Sequence, residues 1–178
     1  MSSSSFIQNF KIENISEENI KNVENYFNTI IQISSILDSS KVKYAIVGST
    51  ALILHYQKMN RIPKDIDLLI QRKDNEAYIA SFDQNNIPQD QTPWTDRLRR
   101  SHWLLNDIKI DVWTTYSEAM KKHPNKLYQG SGFLDDLVIE KEIGSTIFKY
   151  QNPSVVLNLK ILNKSEKSLA DIEYFTSN

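Results

Sequence analysis

The sequence predicts an α/β (α+β) fold in which helices flank a mixed β-sheet and further helices close the chain. A long amphipathic segment precedes a short β-branched apolar run, apolar runs of strand length follow, and two helix-start signals stand after residue 151. The length of 178 residues suits one domain. We therefore expect residues 1–178 to form a single domain, with residues 1–5 disordered and residues 153–178 making a helical C-terminal part.

The first elements follow from the spacing of apolar residues. Between residues 20 and 37 they recur at helical intervals behind Ser16, which predicts an amphipathic helix that ends near residues 38–40. The β-branched apolar run 44–47 then predicts a buried strand. This strand stops at Gly48, where we expect a tight turn.

Helix and strand signals continue to alternate after this turn. Residues 50–56 contain few helix breakers and predict a short helix. Pro63 favours extended backbone in the residue before it, and the apolar run 65–70 predicts a second strand. Residues 74–82 suit another helix, and the polar segment 84–96 predicts an exposed connection.

A hairpin is predicted from residues 101–105 and 108–114, because Asn106-Asp107 suits a two-residue turn. A second hairpin is predicted around Ile143-Gly144, from residues 137–142 and 146–150. Two C-terminal helices should follow. Asn152-Pro153 is a favoured start for a helix over 154–162, and Ser165 caps a last helix. The apolar face of that last helix is predicted from Leu169, Ile172 and Phe175.

Composition limits the chemistry and the surroundings of the protein. The chain has no cysteine, which excludes thiol catalysis and thiolate metal sites and favours hard cations held by oxygen ligands. The net charge of −1 gives no overall attraction to nucleic acid. The start of the chain lacks the features of a secretory signal, and no apolar run is long enough to cross a membrane. We expect a cytoplasmic protein with no membrane partner.

Three aspartates form the main candidate site. Asp65 and Asp67 stand two residues apart on a predicted strand, so both side chains point to one face and can bind a cation together. Asp111 is an acid within a second apolar strand, and it completes a two-metal site if the two strands are neighbours. Mg²⁺ suits such ligands. The alternative for the Asp65-Asp67 pair is a solvated strand edge. Gly48-Ser49 lies at a strand-to-helix junction, where backbone N–H groups favour phosphate.

Together, Gly48-Ser49, Asp65-Ile66-Asp67 and Asp111 resemble the pattern of the DNA polymerase β-like nucleotidyltransferase superfamily. Within it, the segment from Val47 to Asp67 looks like the AbiEii-type toxins and related minimal nucleotidyltransferases. Pro63 departs from that pattern, which usually has a small hydroxyl residue there. The departure concerns turn geometry more than metal binding.

The resemblance implies a nucleotidyltransferase-type sheet and transfer of a nucleotide from an NTP such as ATP, with Mg²⁺ or Mn²⁺ and release of pyrophosphate. Asp65 and Asp67 would bind both metals, while Asp111 would bind the metal nearest the acceptor and help to deprotonate that acceptor. The residues it implies for nucleotide binding are Gly48, Ser49, Arg61, Lys64, Lys160 and Asp171, with Lys167 as a further basic residue on the last helix.

Other residues keep two interpretations. The cluster Arg97, Arg99 and Arg100 beside Trp103 suits a grip on phosphates with a nearby aromatic ring, but equally a solvated basic loop. The three histidines have no spacing typical of zinc, and we assign none of them to metal. The remaining aromatic residues suit either a base or acceptor pocket or the core. These are Trp94, Trp113, Tyr128 and Tyr150.

The sequence is compatible with more than one kind of acceptor. RNA such as a tRNA end, or a protein, is favoured by the resemblance, which also implies a toxin with a cognate antitoxin. A small-molecule transferase of the antibiotic-resistance type would differ by an acidic acceptor pocket, for which Asp135, Asp136 and Glu140 are candidates. The third hypothesis is a non-catalytic protein of the same fold that only binds a nucleotide or a partner.

Overall fold

A computed structural model describes residues 6–89, 100–115 and 137–177. Its main element is a six-stranded mixed sheet with strand order β5-β6-β4-β2-β8-β7. The strands are β2 (Tyr44–Ile46), β4 (Asp65–Gln71), β5 (Arg100–Leu105), β6 (Ile108–Thr115), β7 (Val138–Ile143) and β8 (Thr146–Gln151). Two short strands, β1 (Lys11–Ile12) and β3 (Lys58–Met59), pair in parallel outside this sheet. The predicted mixed sheet is confirmed.

Five helices accompany the sheet within the described ranges: α1 (Ile20–Ser39), α2 (Gly48–Tyr56), α3 (Asn75–Gln84), α4 (Pro153–Asn163) and α5 (Glu166–Thr176). Short 3-10 turns precede α1 and α3. Each predicted helix and strand is found within a few residues of its expected bounds. None of the helices in the described parts of the chain combines the length and apolar character needed to cross a bilayer.

The two faces of the sheet carry different residues because side chains alternate along each strand. On β4, Ile66, Leu68 and Ile70 are fully buried and join the main core together with the apolar face of α1. The opposite face of β4 carries Asp65 and Asp67. Farther along this second face, a small cluster forms where α4 packs against Leu69. The main core therefore holds one face of the sheet, and the other face is free to carry polar groups.

The predicted turn and cap residues act as expected. Asn106 and Asp107 both have positive φ angles, as a two-residue hairpin turn between β5 and β6 requires. The Asn152 side chain accepts a hydrogen bond from the N–H of Ser154 at the start of α4. The Ser165 hydroxyl accepts one from the N–H of Ser168 at the start of α5. These ends of elements are thus determined by local chemistry.

The predicted apolar face of α5 is wrong in part. Leu169 is 54% exposed, whereas Ser168 and Asp171 are buried on the same face as Phe175. The helix is oriented by Asp171, which makes buried polar contacts with neighbouring helices, so hydrophobic spacing alone does not identify its inner face. Residues 84–96 were predicted to be an exposed connection, but Ile87 within this segment is buried. Residues 90–96 lie outside the described residues.

Replacement of Phe27 by alanine should destabilise the fold by about 3 to 5 kcal/mol, because this fully buried ring of α1 contacts other aromatic rings and leaves a cavity. Urea unfolding followed by circular dichroism measures the change. Leu169→Ala is the matched control on an exposed helix surface, and it should change stability by no more than about 0.5 kcal/mol. Equal losses in the two variants would contradict the described core.

Candidate active site

Parallel pairing of β4 with β6 brings the three aspartates together. In the register of these strands Asp67 stands directly beside Asp111, and Asp65 lies two residues earlier on the same face of β4. One carboxylate oxygen from each of the three residues lies within 4.8 Å of the others. Asp111 is buried, while Asp65 and Asp67 are partly exposed. The predicted convergence of the three acids is present.

The turn between β2 and α2 passes very close to this group. Gly48 has φ +65°, and a Cβ atom at this position would lie 2.6 Å from Oδ2 of Asp67. The Val47 N–H donates a hydrogen bond to the Asp67 carbonyl at 2.9 Å. Behind the turn, the buried hydroxyl of Tyr26 on α1 contacts that of Thr50 at 2.5 Å. Only glycine satisfies both the backbone angle and the approach of Asp67.

The three carboxylates repel one another. Burial raises the pKa of Asp67 to about 6, and the charges of Asp65 and Asp111 add to the effect. A divalent cation would relieve this repulsion and keep all three groups ionised. The donor set, three carboxylates with converging oxygens, fits Mg²⁺ or Mn²⁺, which prefer oxygen ligands. The described residues therefore fit a divalent metal site.

Asp111 has partners on β5 and on its own strand β6. Nη2 of Arg100 donates to Oδ2 of Asp111 at 2.8 Å, the His102 ring hydrogen-bonds to Oδ1, and Nζ of Lys109 lies 3.4 Å from Oδ1. Burial by itself would raise the pKa of Asp111, but the hydrogen bonds from Arg100 and His102 outweigh it and hold the pKa below its ordinary value. These contacts fix the orientation of the carboxylate.

A second polar cluster surrounds Asp171 on α5. Lys160 of α4 and the hydroxyl of Ser49 each donate to Oδ2 of Asp171 at 2.7 Å, and Arg61 forms an ion pair with Oδ1. Lys160 also lies 3.2 Å from the Ser49 hydroxyl. Burial would raise the pKa of Asp171, but the hydrogen bonds from Lys160, Ser49 and Arg61 outweigh it and lower the pKa. Four of the residues implied for nucleotide binding thus lie together.

The remaining implied residues are more exposed. Lys64 lies on the surface directly before Asp65. Nζ of Lys167 on α5 lies 4.0 Å from Oδ1 of Asp65, with the lysine side chain 52% exposed. Gly48 and Ser49 stand between the aspartates and the Asp171 cluster, because Gly48 contacts Asp67 and Ser49 contacts Asp171. The basic residues thus lie beside the acidic group.

Sequence reasoning assigned no role to His102, although the hairpin contains a signal for it. With a two-residue turn at 106–107, residue 105 pairs with residue 108, and the pairing continues outward one residue at a time on each strand. This places His102 opposite Asp111 and Arg100 opposite Trp113. The ring of His102 is buried beside the carboxylate. This contact restricts the orientation of the Asp111 carboxylate.

The structure places two residues away from their predicted positions: Trp103, which was expected beside Arg100, and Glu140, which was expected in an acceptor pocket. Trp103 is buried in the core, so it is not the ring beside Arg100; that guanidinium lies 4.3 Å from the ring centre of Trp113, which is 42% exposed. Glu140 lies on β7, four strands from β6, and stands opposite Lys149. It is therefore too far from Asp111 to line an acceptor pocket there.

Several other candidates lie outside the described residues. They are Trp94, Arg97, Arg99, Tyr128, Asp135 and Asp136. Tyr150 is buried in the core and contacts His55, so it does not line an open pocket.

Gly48→Ala should weaken binding of Mn²⁺ strongly, because the added methyl group displaces the Asp67 carboxylate. It should also cost about 1 to 2 kcal/mol of stability through the positive φ angle. Gly144→Ala is the matched control, since Gly144 has φ +64° in the remote β7–β8 turn. Calorimetric titration with Mn²⁺ separates the two effects. Equal metal affinity in both variants would contradict the close approach of Gly48 to Asp67.

Metal affinity should fall as the pH is lowered through about 6, because Asp67 must lose its proton to act as a ligand and its pKa is raised to about 6. Below this value one proton is released for each ion bound, so the affinity should drop about tenfold per pH unit. Titrations with Mn²⁺ from neutral pH to about pH 5 test this. Constant affinity over that range would mean that Asp67 is not a ligand.

The solved structures with a similar fold include nucleotidyltransferases and a nucleotidyltransferase-like protein. One is an antigenic nucleotidyltransferase-like protein from Paracoccidioides brasiliensis, with 17% identity and a TM-score of 0.61 over 85% of this chain and 75% of that one. Another is ANT(2")-Ia in complex with adenylyl-2"-tobramycin, with 11% identity and a TM-score of 0.59 over 86% and 87% of the two chains.

A third is the lincosamide antibiotic adenylyltransferase LnuA bound to lincomycin, with 15% identity and a TM-score of 0.57 over 93% of this chain and 99% of that one. Identities this low establish the fold and not the substrate. No match to the sequence was found among curated proteins. The family model that describes a nucleotidyltransferase of unknown function (DUF6036) matches residues 8–120, more than half of the chain, and the protein therefore belongs to this family of nucleotidyltransferases.

Proposed function

We propose that this protein transfers a nucleoside monophosphate from an NTP to a hydroxyl group of an acceptor and releases pyrophosphate. The observation that carries this proposal is the convergence of Asp65, Asp67 and Asp111 within 4.8 Å, next to a cluster that contains two basic side chains. Carboxylates that hold a divalent metal beside cations that hold phosphates are what nucleotidyl transfer needs.

The residues around Asp171 are suited to the triphosphate. Lys160 and Arg61 supply positive charge, and Asp171 holds both side chains in place through ion pairs. Ser49 lies at the start of α2, where free N–H groups and the helix dipole favour an anion. Lys167 and Lys64, close to Asp65, add further positive charge. This side of the aspartates binds the nucleotide.

The aspartates are suited to the chemical step. Asp65 and Asp67 would hold Mg²⁺ or Mn²⁺, which would draw negative charge from the phosphate oxygens. Asp111 helps to take the proton from the acceptor hydroxyl. The hydroxyl oxygen forms a bond to the α-phosphorus while the bond from that phosphorus to the pyrophosphate oxygen breaks. Arg100 and His102 keep the Asp111 carboxylate oriented.

Two classes of acceptor fit this activity. The sequence resemblance to AbiEii-type toxins favours RNA, such as a tRNA end, or a protein, with a toxin role and a cognate antitoxin. The fold similarity to antibiotic adenylyltransferases supports a small-molecule acceptor as much. The convergence of all three carboxylates favours either transfer reaction over a protein that only binds a nucleotide. ATP is the first NTP to test.

Asp65→Asn and Asp67→Asn should each abolish nucleotide transfer without unfolding the protein, because both side chains are partly exposed and are needed only for the metal. The purified protein is incubated with each labelled NTP, Mg²⁺, and either total RNA, protein extract or an aminoglycoside. Asp83→Asn, an exposed acid on α3, is the matched control and should transfer label like the parent protein.

Label in one acceptor fraction that both site variants lack would establish transfer and identify the acceptor class. Transfer by a variant that combines Asp65→Asn and Asp67→Asn at the rate of the parent would contradict the proposal. Metal-dependent NTP binding without label in any fraction would instead support the binding-only alternative.

A further inference from the structure

An exposed aromatic ring lies next to the aspartates on the side away from the Asp171 cluster. Trp113 is two residues beyond Asp111 on β6, so both side chains point to the same face, about 7 Å apart along the strand. Trp113 is 42% exposed, although most large apolar side chains of this sheet are buried. Exposure of a tryptophan at this place favours a role in binding.

The position of Arg100 adds a flat cation to this ring. The two residues are opposite one another in the β5–β6 hairpin, and the guanidinium carbon lies 4.3 Å from the centre of the indole. Arg100 also donates a hydrogen bond to Asp111, which connects the ring to the candidate metal site. This contact is of the cation–π type and keeps one face of the indole covered in a defined orientation.

The two sides of the aspartates therefore differ in chemistry. Ser49 follows β2, and it joins Lys160 and Asp171 on one side of β4. Trp113 and Arg100 lie on the other side, because β6 and β5 follow β4 in the opposite direction across the sheet. A triphosphate held at the first side leaves the second side for the acceptor.

The acceptor side carries two cations and one carboxylate, and both cations contact that carboxylate. The charged side chains of β5 and β6 are Arg100, Lys109 and the candidate metal ligand Asp111. Lys109 is 39% exposed. Positive charge next to an exposed tryptophan suits the phosphates and stacked bases of a single-stranded nucleic acid, whereas it disfavours a polycationic aminoglycoside.

We propose that Trp113 and Arg100 form a stacking platform for a base of a single-stranded RNA acceptor, with Lys109 contacting its phosphates. This inference rests on the proposed transfer of a nucleotide and identifies the acceptor class for it. Trp113 contacts the base that neighbours the reacting hydroxyl, and Asp111 faces the hydroxyl itself.

The test measures binding of a short fluorescein-labelled single-stranded oligoribonucleotide by anisotropy in the presence of Mg²⁺. Trp113→Ala should weaken this binding about fivefold to a hundredfold, because a base loses its stacking partner. Trp113→Phe keeps an aromatic face and should recover most of the affinity. Ile147→Ala removes another exposed apolar side chain, on the remote strand β8, and should bind the RNA like the parent.

Charge is tested by the salt dependence of the same binding. Lys109→Gln should reduce the magnitude of the slope of log affinity against log salt concentration by about 1, the change expected for the loss of one phosphate contact. Lys41→Gln, an exposed lysine after α1 at the other end of the sheet, is the control and should leave the slope unchanged.

Metal-dependent NTP binding, measured in the same samples, reports on the proposed function separately from the acceptor. RNA binding by Trp113→Ala at the parent level would overturn the platform. Label transferred by the parent protein into protein or an aminoglycoside, and not into RNA, would overturn it as well while leaving nucleotide transfer established. If the parent protein transfers no nucleotide to any of the acceptors, this would instead count against the proposed function.

Discussion

The parallel pairing of β4 with β6 is the constraint on which the site depends. It places Asp67 beside Asp111 and brings three carboxylates within 4.8 Å of one another. The buried apolar face of the same strands stabilises this pairing, so the main core compensates for the electrostatic cost of the acidic group. Asp67 carries part of that cost as a raised pKa. The stability of the sheet therefore permits a polar face on which three carboxylates repel one another.

Different side chains surround the aspartates on their two sides. Asp171 is buried among Lys160, Arg61 and Ser49, and its ion pairs hold the two basic side chains in place. Preorganised cations lose little freedom on binding, which favours phosphate recognition. Arg100 orients Asp111 and also contacts Trp113. In the proposed reaction, the nucleotide and the acceptor would therefore reach this group of carboxylates from different sides.

Local residues predicted much of this arrangement. The hairpin turn at Asn106-Asp107 was predicted and sets the pairing of β5 with β6, whereas the contact of His102 with Asp111 that results from this pairing was not predicted. The sequence resemblance also led to Ser49, Lys160 and Asp171, which the fold brings into one cluster. The inner face of α5 was mistaken, because a buried acid can orient a helix against its hydrophobic pattern when cations and a hydroxyl surround it.

The sequence by itself determined the elements, their caps and turns, and the shared face of Asp65 and Asp67, because these depend on neighbours only a few residues apart. Only the tertiary structure decided that Asp111 stands beside Asp67, that Gly48 touches the Asp67 carboxylate, and that Glu140 lies four strands from Asp111. Strand order and register join residues far apart in the chain, and no local pattern specifies which strands become neighbours.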